Sequence, residues 1–63
     1  MPMIKVDLHK GRTRDQKREF VSVITREAAR ILKCAPEDID IVFQEVDTQD
    51  WAKGGVLNSD RPA

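Results

Sequence analysis

Sixty-three residues carry eleven Lys or Arg against eleven Asp or Glu, a formal net charge of zero, with one histidine and one cysteine. No basic run is long enough to track a phosphate backbone, the apolar segments are too short to span a bilayer, and no signal-peptide pattern precedes them, so nucleic acid, membrane and secretion are not expected. The lone Cys34 excludes an internal disulfide and fits the cytoplasm, so a single small domain over residues 1–63 is expected to gain stability by oligomerisation.

Pro2 follows Met1, and removal of Met1 would expose a secondary amine, the only one a protein backbone offers. An ordinary α-amino group titrates at about 7.7–8.0. An apolar site or a nearby cation lowers that value, which would leave Pro2 partly neutral and suited to proton transfer at physiological pH. Retention of Met1 would make Pro2 an amide and end that chemistry.

Residues 3 to 9 alternate, Ile4, Val6 and Leu8 against Met3, Lys5, Asp7 and His9, the pattern of a strand with one buried face. Lys10-Gly11-Arg12 turns the chain. Thr13 to Gln16 matches a capping box and opens a helix reaching about Lys33. Its apolar positions Phe20, Val21, Ile24, Ala28, Ile31 and Leu32 form one stripe, while Lys17, Arg18, Arg26, Glu27 and Arg30 are expected on a solvated face. Cys34-Ala35-Pro36 ends the helix, because the residue before a proline avoids helical backbone, and Glu37-Asp38 is expected in a short turn.

Ile39 to Val46 reads as a second strand with Ile39, Ile41 and Phe43 on one face. The fold class is therefore α/β: a β-α-β unit with parallel strands and a right-handed crossover. Gly54-Gly55 predicts a short C-terminal β-hairpin, and Ser59 to Ala63 is expected to fray. Two strands and one helix leave a sheet face bare, so the sheet is expected to be completed by oligomerisation.

Met1-Pro2 opening a strand, Gly11-Arg12-Thr13 followed by Asp15-Gln16-Lys17, Ala35-Pro36 before the second strand, and Trp51 followed by Gly54-Gly55 resemble the 4-oxalocrotonate tautomerase family. The likeness spans nearly the whole chain and is carried by joint order and spacing, nearest to the subgroup with a Trp and a Gly-Gly pair in the hairpin. It implies a single tautomerase-like domain assembling as dimers and commonly as hexamers; any metal or organic cofactor would be unexpected. It also implies Pro2 as the amino-terminal base, Arg12 as the holder of a substrate carboxylate, and Trp51 as an aromatic wall that keeps the pocket apolar. Two positions depart from the family's pattern. Founding-type members carry a second arginine early in the second strand, where counting back from Trp51 finds Asp40. Members that hydrate and dehalogenate haloacrylates carry a glutamate two residues past the aromatic, where Lys53 stands here.

Strand rise places these residues independently of the resemblance. Pro2 to His9 is about 23 Å at about 3.3 Å per step, so Arg12 is not expected to reach its own Pro2. The helix returns the chain by roughly 30 Å, which puts Asp40 near Pro2 and Trp51 near the level of Arg12. A pocket holding Pro2, Arg12 and Trp51 is therefore expected between subunits.

Neutral Pro2 would move a proton beside a carbonyl, and Arg12 would grip a carboxylate through its planar fork or else remain a solvated turn residue. Trp51 would lower local polarity or anchor an interface. His9 is a candidate substrate-binding residue or second acid or base, against simple surface polarity, and Cys34 has no base tied to it by spacing. Asp40 is a candidate modulator, since a carboxylate near an ammonium favours the charged form and predicts slow turnover that improves towards pH 8. The expected function is a small oligomeric keto–enol tautomerase acting on an unsaturated or aryl 2-keto acid or its enol, a small-molecule carboxylate. The alternatives are a weakly active or non-catalytic subunit of a mixed hexamer, and a hydratase or dehalogenase of unsaturated acids.

Overall fold

The alternation of the first strand is realised from Met3 to Leu8, with His9 half-buried instead of exposed, in a computed structural model that describes residues 2–62. Strand β1 spans Met3–His9, with Ile4, Val6 and Leu8 half-buried and Met3, Lys5 and Asp7 exposed on the other side. The expectations resting on Met1 and Ala63 lie outside the described residues.

Helix α1 spans Arg14–Leu32, and the capping box is complete. The Thr13 hydroxyl accepts from the Gln16 amide at 3.0 Å, and the Gln16 side chain accepts from the Thr13 amide at 2.8 Å. Two otherwise orphaned donors are thereby satisfied. The helix stops by a different device from the one predicted. Lys33 takes the left-handed conformation, φ 56° and ψ 51°, and the amides of Lys33 and Cys34 both return to the Ala29 carbonyl. Pro36 acts later, opening a 3-10 turn over Pro36–Asp38 that holds Glu37 and Asp38.

Strand β2 spans Asp40–Val46 and pairs with β1 in parallel, from Met3 beside Asp40 to His9 beside Val46. One backbone bond extends the ladder at each end, Asp40 N–H to the Pro2 carbonyl and Lys10 N–H to the Val46 carbonyl, both 3.1 Å. The hairpin is formed by β3, Ala52–Lys53, and β4, Val56–Leu57. Gly54 and Gly55 turn it with φ of 61° and 81°, a pair of positive angles that tight hairpin turns need and that side chains resist.

The tail departs from expectation. Asn58–Asp60 form a 3-10 turn, and Arg61 donates its amide to the Asn58 carbonyl and its guanidinium to the Lys53 carbonyl. Ser59 to Arg61, expected to fray, are thus tied back onto the hairpin, because an arginine fork finds a backbone acceptor eight positions earlier in sequence.

The expected solvated face is corrected at Lys17 and Glu27, both half-buried. Lys17 turns inward, one helical turn before half-buried Val21, to pair with Glu45 of β2 and lie 5.6 Å over the Phe43 ring. Its long stem follows apolar surface while its ammonium keeps a partner. Arg18 and Arg30 stay outside, each 2.9 Å from a carboxylate three residues earlier, Asp15 and Glu27.

A two-stranded sheet is too narrow to cover the helical stripe. Val21, Ile24 and Ala28 are half-buried, but Ile31 and Leu32 of the same stripe are 62% and 57% exposed, and Met3 is 60% exposed on the open sheet face. Ile39 is the one buried hydrophobic residue among those described. The protomer exposes 5156 Å², about 1,000 Å² more than the roughly 4,100 Å² of a folded monomer of its mass. Its radius of gyration is 15.0 Å, against about 10.6 Å for a compact chain of this length.

Candidate functional site

The turn after β1 brings Arg12 to the mouth of a groove between sheet and helix. Val6 and Leu8 of β1, Phe43 of β2, and Gln16, Lys17 and Phe20 of α1 line it, enclosing about 260 Å³. Its walls are apolar, with the Phe20 and Phe43 rings 5.8 Å apart. Two cations stand at this groove and their situations differ. Lys17 is neutralised by Glu45, whereas Arg12 is exposed and makes no ion pair or hydrogen bond among the described residues. A guanidinium so placed can take a planar anion in bidentate fashion, and the adjoining apolar walls suit the uncharged remainder of such a molecule.

Trp51 and His9 meet at the same end of β1. Their rings stand edge to face, centroids 4.5 Å apart and planes at 85°. His9 Nε2 lies 3.0 Å from the Asn58 carboxamide nitrogen, and the Asn58 amide donates to the Trp51 carbonyl at 2.7 Å. Both His9 and Trp51 are half-buried. Nearby, Asp47 caps the 3-10 turn Thr48–Asp50. The Gln49 amide bonded to its carboxylate, with Lys10 3.8 Å away, holds that carboxyl below its ordinary range.

Pro2 is half-buried at the opposite end of β1, joined to Asp40 through the backbone. Strand alternation sets the Asp40 side chain on the open sheet face with Met3, and it is exposed there. The structure thus brings Arg12 to the apolar groove, pairs Trp51 with His9, and sets Pro2 beside Asp40. It does not bring Pro2 to Arg12 or Trp51 within one protomer, since about 23 Å of strand intervenes. Among the described residues no group of three or more His, Cys, Asp or Glu is gathered as metal ligands, and no helix is long and apolar enough to cross a membrane.

Sequence reasoning missed Asn58, Phe20 and Phe43 as parts of these clusters. The two phenylalanines were legible as apolar face residues, but nothing in the spacing marks them as groove walls. Asn58 carries no local signal, because its partner lies 49 positions away.

Comparison with known proteins bears on this geometry. A family model described as "Tautomerase enzyme" matches residues 2–61. A probable tautomerase of Listeria monocytogenes serotype 4b (strain F2365) is 38% identical over 60 residues, covering 95% of this chain and 98% of the relative. The crystal structure of a 4-oxalocrotonate tautomerase homologue superposes with a TM-score of 0.92 at 40% identity over 100% of both chains. That of YwhB, also a 4-oxalocrotonate tautomerase homologue, does so with a TM-score of 0.92 at 28% identity, over 97% of this chain and 100% of that one.

Proposed function

The chain belongs to the tautomerase family, and from that premise we propose that it is a homo-oligomeric keto–enol tautomerase using Pro2, freed by removal of Met1, as its base. The substrate class is an unsaturated or aryl 2-keto acid or its enol. The observation that carries the reading is Arg12, exposed and without a partner among the described residues at the mouth of an apolar groove.

Neutral Pro2 takes a proton from the carbon next to the substrate carbonyl. The C–H electron pair becomes the enol double bond, and the proton on the Pro2 nitrogen is returned at another atom of the same conjugated system. Arg12 of a neighbouring copy holds the carboxylate, and Trp51 keeps the reacting carbons away from water. The separation of Pro2 from Arg12 along β1 supports a site built between copies. So does the excess exposed surface, with Ile31, Leu32 and Met3 as the apolar residues to be covered. A hexamer is the assembly favoured over a dimer.

Asp40 stands where the family's second arginine is expected, and its negative charge near the Pro2 end favours the protonated imino group. Turnover is therefore slow and rises with pH towards 8 as the neutral base becomes populated; a kcat/KM profile flat from about pH 6 to 9 would count against this. Asp40 also favours a second reading, a weakly active subunit whose full charge set comes from a different chain in a mixed hexamer.

The decisive experiment follows ketonisation of phenylenolpyruvate and 2-hydroxymuconate by the wild type and Pro2→Ala, with intact mass measured on the same preparations. Loss of one methionine and loss of activity in Pro2→Ala are expected. Equal turnover by the two proteins, or a retained Met1 in an active preparation, refutes the role of Pro2.

A further inference from the structure

Trp51 lies between a 3-10 turn and a two-residue strand, and the hairpin that follows packs loosely, with Val56 and Leu57 each 42% exposed. Apolar burial within the protomer is therefore a weak anchor for the indole. Polar contacts converge instead on Asn58, the first residue after β4. Its backbone amide donates to the Trp51 carbonyl at 2.7 Å, and its carboxamide nitrogen lies 3.0 Å from His9 Nε2. His9 in turn presents its ring to the Trp51 indole at 4.5 Å. The three residues close a triangle linking the hairpin to the end of β1.

With the carboxamide nitrogen facing it at 3.0 Å, His9 Nε2 takes the acceptor's part in this hydrogen bond. Asn58 thus holds the imidazole through its side chain and the Trp51 main chain through its own amide. The ring contact between imidazole and indole is worth something only while both are held.

We propose that Asn58 is a positioning residue, acting through His9 to set the tilt of the Trp51 indole against β1 and so the apolar wall that a bound substrate meets. The kinetic consequence rests on the tautomerase reading; the geometric one does not.

The chain contains one tryptophan and no tyrosine, so its intrinsic emission reports on Trp51 alone. Asn58→Ala removes the carboxamide but keeps the backbone bond. His9→Phe keeps a ring against the indole but removes the acceptor, and it carries the same test should Asn58→Ala fail to fold. In each single variant the emission moves to longer wavelength and acrylamide quenching rises, while far-UV circular dichroism and oligomeric size stay as in the wild type. KM for a keto–enol substrate rises about three- to tenfold, the scale of one net hydrogen bond, with kcat within about twofold. The double variant is no worse than either single, because both remove the same contact. Unchanged emission in both single variants, or losses that multiply in the double, overturns the proposal. A wild type without tautomerase activity would sink the functional reading, while the fluorescence would still decide whether Asn58 holds Trp51.

Discussion

Replacing Arg12 by glutamine separates binding from folding, because the residue is exposed and makes no ion pair or hydrogen bond among the described residues. A surface substitution of that kind changes stability by no more than about 0.5 kcal/mol, so urea midpoints of the variant and the wild type should nearly coincide. The substrate carboxylate, in contrast, loses a charge-assisted contact of about 1.5–3 kcal/mol. At tenfold per about 1.4 kcal/mol this raises KM roughly ten- to hundredfold. Lys17 does not replace the lost charge, since Glu45 already engages it. Arg12→Lys keeps a point charge but loses the planar fork, so its KM should fall between those of the other two proteins. The assay is steady-state ketonisation of an aryl enol acid and of its methyl ester. Substitution should raise KM for the acid and leave the ester unaffected. An equal loss on acid and ester, or none on the acid, would refute the assignment of Arg12 to the carboxylate.

Ile39→Ala removes the one buried hydrophobic residue among those described and should cost about 2–5 kcal/mol, read from urea midpoints at fixed protomer concentration. Ile31→Lys places a charge on an exposed apolar flank of α1. Light scattering after size exclusion should show a smaller species than the wild type at equal concentration, and an unchanged mass would remove that flank from the assembly. Asp47 has its carboxyl held below the ordinary value chiefly by the Gln49 amide. Its contribution to stability is thus full above the unfolded carboxyl pKa, near 3.8, and is lost as pH falls through the lowered folded value. Asp47→Asn should flatten the acid limb of the stability curve there, and an unaltered limb would show that the carboxylate does not stabilise the turn.

Several structural features were legible because their causes lie within a few residues. The alternation of Ile4, Val6 and Leu8 gave β1 its limits, Thr13 and Gln16 announced the start of α1, and paired glycines located the hairpin turn. Lys17 was misplaced for an instructive reason. Its charge suggested solvent, but its position one turn before Val21 points it at the sheet, and Glu45 supplies the partner that makes this tolerable. The tail was misjudged because its order depends on Arg61 reaching the Lys53 carbonyl, an event that composition near a chain end does not reveal.

The sequence by itself determined the order of strands and helix, the capping box that starts α1, the parallel pairing and the placing of Pro2 and Arg12 at opposite ends of one strand. Those properties follow from periodicity, local backbone preference and rise per residue, all of which are short-range. Only the tertiary structure decided which part of the apolar stripe is covered, which cation is neutralised, and how His9, Trp51 and Asn58 meet. These depend on side chains converging from distant segments, as His9 and Asn58 do across 49 positions. No local pattern encodes such a meeting until the backbone has brought the strand end and the hairpin together.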